Sequence, residues 1–214
     1  MHVVITGANR GIGLALYERY AAAGDTVTGT SRAGGDFFRM DVTQADDHQA
    51  LSEKINGDPV DLLICNAGVY PDKGQALGDG YAPEVWQDAF NTNVTGVFMT
   101  IQRLLPSLQR SAAPKIAIIS SRMGSQARAK GGSYAYRASK AAAVNLGRNL
   151  AVDLEPLGIA LGVYHPGWVR TDMGGAGADI SDAESADGLV QEFAKLSLET
   201  TGCFKNYDGE DVPL

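Results

Sequence analysis

The chain has few cysteines and histidines, and it lacks a long apolar run. Its 214 residues include two cysteines and three histidines, too few and too scattered for a disulfide framework or a zinc site, so we expect reduced thiols and no metal. No stretch approaches the roughly eighteen apolar residues of a membrane span. The first residues show no basic segment, apolar stretch and cleavage site, so we expect a cytoplasmic location and no membrane partner.

Basic residues are in the minority, because 18 Lys and Arg face 25 Asp and Glu, for a net charge of −7. Proteins that bind nucleic acids need a basic face, so nucleic acid is not an expected partner. The excess of acid is concentrated in residues 171–214, where a solvated surface is the simplest explanation. A hydrophobic content of 44% suffices for a core, and the length fits a single domain over residues 1–214.

Strand-like and helix-like segments alternate along the chain. Short segments typical of strands cover residues 2–6, 26–31, 37–42, 60–65, 115–121, 158–165 and 202–207. Segments typical of helices cover residues 14–23, 43–56, 83–110, 134–155 and 182–198. This alternation predicts an α/β fold, a Rossmann-type doubly wound parallel sheet of about seven strands with helices on both faces.

A glycine-rich turn, GANRGIG at residues 7–13, joins the first predicted strand to the first predicted helix. Glycines adopt positive φ and let the backbone approach a phosphate, whose charge is favoured by free N–H groups at a helix start. The turn therefore predicts a dinucleotide site, although an ordinary strand-to-helix connection is the alternative.

Two arginines near this turn indicate which dinucleotide binds. Arg32 ends the second strand, where an acidic residue would bind a ribose 2′-hydroxyl and an arginine accommodates a 2′-phosphate. Arg10, inside the turn, is a possible second cation. A guanidinium binds a phosphate through paired N–H donors, so the sequence predicts NADP(H) rather than NAD(H). Two solvent-exposed arginines without a ligand are the alternative.

Tyr136 and Lys140 lie four residues apart in an alanine-rich helical segment, so their side chains share one helix face. An unaided tyrosine has a pKa near ~10, but a neighbouring ammonium favours the phenolate and lowers that pKa. Such a pair can transfer a proton to or from a carbonyl or alcohol oxygen. Tyr134 is a rival phenol, but Ala138 offers it no ammonium. A half-buried tyrosine beside an exposed lysine, without chemistry, is the alternative.

Five motifs occur in an order that makes the chain resemble the short-chain dehydrogenase/reductase family. They are Thr-Gly-x-x-x-Gly-x-Gly at 6–13, Asn-Ala-Gly at 66–68, Asn-x-Asn-Val at 91–94, Ser-Ser-x-x-Gly at 120–124 with Tyr-x-x-x-Lys at 136–140, and Pro-Gly-x-x-x-Thr at 166–171. Cys65 stands where the family has the first asparagine of Asn-Asn-Ala-Gly. Within the family, the likeness is to small carbonyl-reductase-like or C-factor-like members.

The resemblance implies a set of four catalytic residues, namely Asn93, Ser121, Tyr136 and Lys140. In this set the tyrosine transfers the proton, the lysine lowers the tyrosine pKa and binds the nicotinamide ribose, and the serine positions the carbonyl. The asparagine interrupts its helix and holds a water that links the lysine to solvent. Because the gap between Ser121 and Tyr136 exceeds the family's common one, Ser120 and Ser125 stay open as alternatives for the serine.

The resemblance also implies a cofactor site spread over the motif segments. Its residues are Gly7, Asn9, Arg10, Gly11, Ile12, Gly13, Ser31, Arg32, Asp41, Val42, Asn66, Ala67, Gly68, Tyr136, Lys140, Pro166, Gly167, Val169 and Thr171. In the family, the Asp-Val pair contacts the adenine ring. The Pro-Gly-x-x-x-Thr segment lies against the nicotinamide, where Val169 supplies main-chain contacts to the carboxamide.

Together, the motifs predict an oxidoreductase that transfers hydride between NADP(H) and a carbonyl or alcohol carbon of a small molecule. Two alternatives use the same fold. One is a non-catalytic NADP(H)-binding sensor or signalling protein, and the other is a redox-neutral isomerase or dehydratase. Relatives usually pair through the helices that hold Asn93 and Tyr136, so we expect a homodimer or a homotetramer.

Four residues outside the motifs are candidates to line the substrate pocket, namely Tyr70, Met123, Trp168 and Met173. They indicate an apolar or aromatic substrate, although such residues are also ordinary core material. Residues 173–180 contain three glycines, which is typical either of a lid that closes over a substrate or of a plain loop.

Overall fold

A seven-stranded β-sheet forms the centre of the molecule. The structure is a computed structural model, and it describes all of residues 1–214. The strands are β1 (His2–Ile5), β2 (Thr26–Ser31), β3 (Phe38–Arg39), β4 (Leu62–Cys65), β5 (Lys115–Ile119), β6 (Ala160–His165) and β7 (Phe204–Asn206). Every neighbouring pair is parallel, and the order across the sheet is β3-β2-β1-β4-β5-β6-β7. The predicted doubly wound fold is confirmed.

Helices cover both faces of the sheet, and each face has its own apolar core. The helices are α1 (Gly11–Ala22), α2 (Ala45–Ile55), α3 (Pro83–Phe90), α4 (Gly96–Leu108), α5 (Tyr134–Leu154) and α6 (Asp182–Lys195). None of them is long and apolar enough to cross a membrane. Side chains alternate between the faces along each strand. Val4 packs in the core with α2, α4 and α5, whereas Val3 and Ile5 pack with α1 and α6.

The third strand is shorter than predicted, because the chain turns away from the sheet directly after it. Residues 37–42 were expected to be extended, but β3 contains only Phe38–Arg39. The N–H of Asp41 donates to Asp47 Oδ2 at 2.7 Å, and Asp41 Oδ1 accepts from the Thr43 N–H at 2.9 Å. These side-chain bonds replace the ladder and direct the chain into α2.

A turn of π-helix separates α3 from α4. It covers Asn91–Thr95, where the family resemblance implied an interruption at Asn93. A π turn changes the direction of the side chains it contains, and such turns are frequent at functional sites. Here it brings the buried Asn93 side chain against α5, where its Nδ2 donates to Ser139 Oγ at 2.9 Å.

The predicted motifs meet at one edge of the sheet. Since the strands are parallel, the loops after β1, β4, β5 and β6 all leave from the carboxyl edge. These loops carry the glycine-rich turn, the Asn-Ala-Gly segment, the serines of residues 120–125 and the Pro-Gly segment of residues 166–171. Open α/β sheets bind their ligands at this edge.

Candidate active site

The glycine-rich turn has a backbone that favours glycine. Gly7 and Gly11 have φ angles of 68° and 53°, in the left-handed region that other residues rarely adopt. A Cβ on Gly13 would lie 2.1 Å from the Gly7 carbonyl oxygen and 2.5 Å from Asn66 Nδ2. No side chain caps the start of α1, so its first N–H groups stay available for an anion.

Asn66 holds the glycine-rich turn against the end of β4. Its Nδ2 donates to the carbonyl oxygens of Thr6 and Gly7, at 3.1 and 2.9 Å. In return, Thr6 Oγ1 accepts from the N–H groups of Asn66 and Ala67, at 3.0 and 3.1 Å. The Asn-Ala-Gly segment is thereby fixed to the turn by four hydrogen bonds.

The arginines predicted to bind a 2′-phosphate lie at the surface. Arg32 is exposed at the end of β2. Arg10 Nη1 lies 2.8 Å from Asp172 Oδ2, with both side chains largely exposed. An exposed ion pair contributes little stability, so Arg10 can exchange this partner for a ligand. It also connects the glycine-rich turn to the loop that follows β6.

The remaining residues predicted near the adenosine lie around the ends of β2 and β3. Asn9 is exposed, whereas Ser31 is buried and its Oγ donates to the Gly34 carbonyl oxygen at 3.2 Å. Asp41 is half-buried, with its carboxylate bonded to Thr43, and Val42 is buried in the core beside α4.

Tyr136 lies in the first turn of α5 with its ring buried, at 6% exposure. The Tyr70 ring stacks on it, with 4.0 Å between the ring centroids and 18° between the planes. Burial raises the pKa of Tyr136 to about 12, and the Ser121 hydroxyl opposes that rise. The sequence predicted the opposite direction, a Tyr136 pKa lowered by Lys140. The difference is due to desolvation, which residue spacing does not reveal.

Lys140 lies one helical turn beyond Tyr136 and is also buried, at 5% exposure. Its Nζ is 5.8 Å from the centroid of the Tyr136 ring, so the two side chains share a helix face, as their spacing predicted. The same Nζ donates to the Ile119 carbonyl oxygen at 3.0 Å. Burial lowers the pKa of Lys140 to about 8, which leaves the amine mostly protonated at neutral pH.

The Asn93 carboxamide is buried between the loop after β4 and α5. Its Oδ1 accepts from the Val69 N–H at 2.9 Å, and its Nδ2 donates to the Val69 carbonyl oxygen at 3.0 Å. Gly68 lies beside it. A Cβ on Gly68 would be 3.2 Å from Asn93 Oδ1 and 3.5 Å from Lys140 Nζ. The glycine therefore leaves a space between the amide and the ammonium.

The three candidate serines after β5 have different surroundings. Ser120 Oγ donates to the Lys140 carbonyl oxygen at 3.0 Å. Ser121 Oγ accepts from the Met123 N–H at 3.1 Å. The Ser121 hydroxyl also acts to lower the pKa of the Tyr136 phenol, against the effect of burial. Ser125 Oγ is buried without a partner, and Ser125 does not line the cavity described below. Of the three, Ser121 combines access to the cavity with proximity to the phenol.

Asp72 holds the start of α5, and no sequence motif indicated it. This fully buried carboxylate accepts from the N–H groups of Ala135 and Tyr136, at 2.8 and 3.2 Å. The usual cap is missing because Ser133 has a left-handed φ of 51°, and its Oγ lies 2.5 Å from the Tyr70 hydroxyl. The only signal in the sequence is an acid in a glycine-rich loop, 63 residues before Ala135.

A cavity of about 530 Å³ opens beside Tyr136 at the carboxyl edge of the sheet. The four candidate pocket residues line it, namely Tyr70, Met123, Trp168 and Met173. Residues of the predicted cofactor site line it as well, namely Ile12 of the glycine-rich turn and Pro166, Gly167, Val169 and Thr171 of the predicted nicotinamide segment. Tyr134, the rival phenol, does not. The size suits a small molecule, and one cavity adjoins both predicted sites.

The loop of residues 173–180 is bonded to its surroundings at the cavity mouth. Trp168 Nε1 donates to the Gly174 carbonyl oxygen at 3.0 Å, and the Gly174 N–H donates to Thr171 Oγ1 at 3.1 Å. From the opposite loop, Lys73 Nζ donates to the Met173 carbonyl oxygen at 2.8 Å. The two loops thus contact each other across the mouth.

Both cysteines are free thiols. Cys65, which replaces the family's first asparagine, is buried, and burial raises its pKa to about 12. Such a thiol is unreactive at neutral pH. No group of three or more His, Cys, Asp and Glu side chains is placed to hold a metal ion.

Comparison with known proteins identifies the family. Residues 1–179 match the family model described as short chain dehydrogenase. The chain therefore belongs to the short-chain dehydrogenase family, as its motifs predicted.

Individual relatives cover most of the chain. C-signal from Myxococcus xanthus is 39% identical over 166 residues, which is 77% of this chain and 99% of that protein. The 3-oxoacyl-[acyl-carrier-protein] reductase FabG of Escherichia coli is 31% identical over 203 residues, 88% of this chain and 80% of the enzyme. NADPH-bound carbonyl reductase from chicken fatty liver superposes with a TM-score of 0.91 at 28% identity, over 100% of this chain and 98% of that one. Carbonyl reductase Sniffer of Drosophila melanogaster has the same TM-score and identity.

Proposed function

We propose that the protein is an NADP(H)-dependent oxidoreductase that interconverts a carbonyl group and an alcohol. One observation carries this proposal. The buried phenol of Tyr136 lies on the wall of a cavity that also reaches Pro166, Val169 and Thr171 of the predicted nicotinamide site. Membership of the short-chain dehydrogenase family and similarity to carbonyl reductases support it.

The residues around the glycine-rich turn fit a dinucleotide with a 2′-phosphate. The left-handed glycines Gly7 and Gly11 and the uncapped start of α1 suit a pyrophosphate. No acid occurs between residues 26 and 35, and Arg32 is exposed there, which favours NADP(H) over NAD(H). The NADPH bound to the chicken enzyme agrees with this preference. When bound, NADPH supplies a hydride to the carbonyl carbon and becomes NADP⁺.

In the direction of reduction, Tyr136 donates its phenolic proton to the carbonyl oxygen, which completes the alcohol. The pKa of about 12 keeps this phenol protonated at neutral pH, the state that a proton donor needs. The Ser121 hydroxyl donates a hydrogen bond to the same oxygen as negative charge develops on it. Lys140, protonated below its pKa of about 8, stabilises the phenolate that remains. The space beside Gly68, between Asn93 and Lys140, is the route by which a proton returns to Tyr136.

The test replaces Tyr136 with phenylalanine and follows NADPH absorbance at 340 nm with a panel of aldehydes and ketones. Tyr136→Phe keeps the ring stacked on Tyr70 but removes the proton donor, so turnover should fall about 100-fold or more while NADPH binding persists. Tyr134→Phe is the matched control, because that phenol is on the same helix but outside the cavity. Equal turnover in the two variants would refute the assignment.

A second candidate function is that of an NADP(H)-binding signalling protein. The observation that favours it is the 39% identity to C-signal over nearly the whole length of that protein. The absorbance assay at 340 nm distinguishes the two candidates, because a sensor would bind NADPH without consuming it on any carbonyl compound. A redox-neutral isomerase would convert its substrate without net consumption of the cofactor. The cytoplasmic location and the homodimer or homotetramer stay predictions.

A further inference from the structure

One half of the basic residues lies in a segment that has no acid. Residues 89–152 contain no Asp or Glu, although the chain has a net charge of −7. The segment holds nine of the 18 Lys and Arg residues, namely Arg103, Arg110, Lys115, Arg122, Arg128, Lys130, Arg137, Lys140 and Arg148. The fold places part of this segment, from the end of β5 to the start of α5, along the cavity beside Tyr136.

The cavity wall is therefore cationic. Five basic residues line it and no Asp or Glu does, the five being Lys73, Arg122, Arg128, Lys130 and Arg137. None of them takes part in the five ion pairs of the protein. Lys73 and Arg137 donate only to carbonyl oxygens, and the charged groups of the other three have no hydrogen-bond partner in the protein. Unpaired cations around a concave surface attract an anion.

His165 gives a second and independent indication of a ligand. It ends β6, lines the same cavity and is 6% exposed, yet neither ring nitrogen has a hydrogen-bond partner. Buried polar groups in folded proteins are almost always paired. Burial, together with the nearby charges of Arg122 and Arg128, lowers the His165 pKa to about 3. The imidazole is thus neutral at physiological pH and is free to donate or accept a hydrogen bond.

We propose that the carbonyl substrate of this cavity carries an anionic group, a carboxylate or a phosphate, remote from the reacting carbonyl. The carbonyl lies at Tyr136, the apolar body packs against Tyr70, Met123 and Trp168, and the anion is held by Arg122, Arg128 and Lys130. Guanidinium groups suit this role because they bind carboxylates and phosphates through paired N–H donors. The inference rests on the proposed function. It changes the expected substrate from an apolar carbonyl compound to one that has both an apolar body and an anionic group.

The experiment compares aldehydes that differ in the charge of one substituent. With NADPH and the full chain, kcat/KM is measured for 4-formylbenzoate, for its neutral methyl ester and for 4-formylphenyl phosphate. We expect both anions to exceed the ester about tenfold or more, and the advantage should shrink in 0.5 M salt because exposed charges are screened. The larger of the two anionic values identifies whether a carboxylate or a phosphate is the better ligand.

Charge variants then locate the effect. Arg128→Gln should lower kcat/KM for 4-formylbenzoate about threefold, the value of one unit charge at roughly 6 Å in water. The loss should be larger for 4-formylphenyl phosphate, which carries up to two charges. The double variant with Arg122→Gln should lower both values further. The ester should be unaffected. Arg148→Gln is the matched control, because Arg148 is an exposed arginine of α5 outside the cavity. Equal kcat/KM for anions and ester, or equal losses in the Arg128 and Arg148 variants, would overturn the inference.

A binding measurement separates this inference from the proposed function. Calorimetric titration of 4-(hydroxymethyl)benzoate and of its methyl ester into the NADP⁺-loaded protein needs no turnover. Tighter binding of the acid, reduced about threefold in Arg128→Gln, supports the inference even if no aldehyde is reduced and the oxidoreductase proposal fails. Equal binding of acid and ester overturns the inference, whereas turnover of the ester would still support the oxidoreductase.

Discussion

Replacement of Asp72 tests how the helix that carries Tyr136 and Lys140 is held in place. The Asp72 carboxylate is fully buried and accepts from the N–H groups of Ala135 and Tyr136, at 2.8 and 3.2 Å. The preceding Ser133 has a left-handed backbone and its side chain does not cap the helix. Asp72 is therefore the only side chain bonded to the first N–H groups of α5.

The magnitude follows from the number of groups that lose a partner. Asp72→Ala leaves two buried N–H groups unpaired, at about 1 to 3 kcal/mol each, so we expect a loss of roughly 2 to 6 kcal/mol in the free energy of unfolding. Asp72→Asn keeps one acceptor oxygen but removes the charge that favours a helix N-terminus, and roughly 1 to 2 kcal/mol should be lost.

The assay is urea unfolding at pH 7, followed by circular dichroism. Asp79→Asn is the control, because Asp79 lies in the same loop and its carboxylate accepts from the Ala76 N–H at 3.0 Å in an exposed position. Its replacement should change the free energy of unfolding by less than about 0.5 kcal/mol. Asp72 also raises the pKa of Tyr136, so Asp72→Asn should move the ionisation of that phenol to lower pH. Asp72 variants as stable as the Asp79 variant would refute the reasoning.

Three further predictions concern single charges. Arg32→Asp should weaken NADPH binding about tenfold or more and leave NADH binding nearly unchanged, because a carboxylate repels only the 2′-phosphate; fluorescence titrations with both cofactors check this, and equal losses would contradict it. The pKa of Lys140 is lowered to about 8, so between pH 8 and 10 the unfolded chain binds a proton that the folded chain has released, and stability should rise with pH; Lys140→Met should abolish that rise in urea unfolding at pH 7.5 and 9.5. The pKa of His165 is lowered to about 3, so between pH 6.5 and 3 the unfolded chain binds a proton that the folded chain does not, and the free energy of unfolding should fall as the pH falls. His165→Asn should reduce this loss, and an unchanged acid sensitivity would count against the buried, neutral imidazole.

The order of the elements and the position of the proton donor could be predicted from the residues alone. Apolar segments of strand length alternate with helical ones, and strands buried on both faces need such segments, so β1, β4 and β5 start within two residues of the predicted positions. The glycine-rich turn and the four-residue spacing of Tyr136 and Lys140 are local features. The interruption at Asn93 came only from the family resemblance, since its local sequence is typical of a helix.

The direction in which the Tyr136 pKa is shifted, and the charge of the cavity, depend on long-range packing. Helical spacing places Lys140 near the phenol, but burial under Tyr70 raises the pKa that the spacing predicted to fall. Likewise, Asp72 reaches α5 from a loop 63 residues away. Lys73, far from Arg128 in sequence, lines the same wall. Periodicity and short spacings act between neighbours along the chain, whereas desolvation and the summed field of distant charges exist only once the chain has folded.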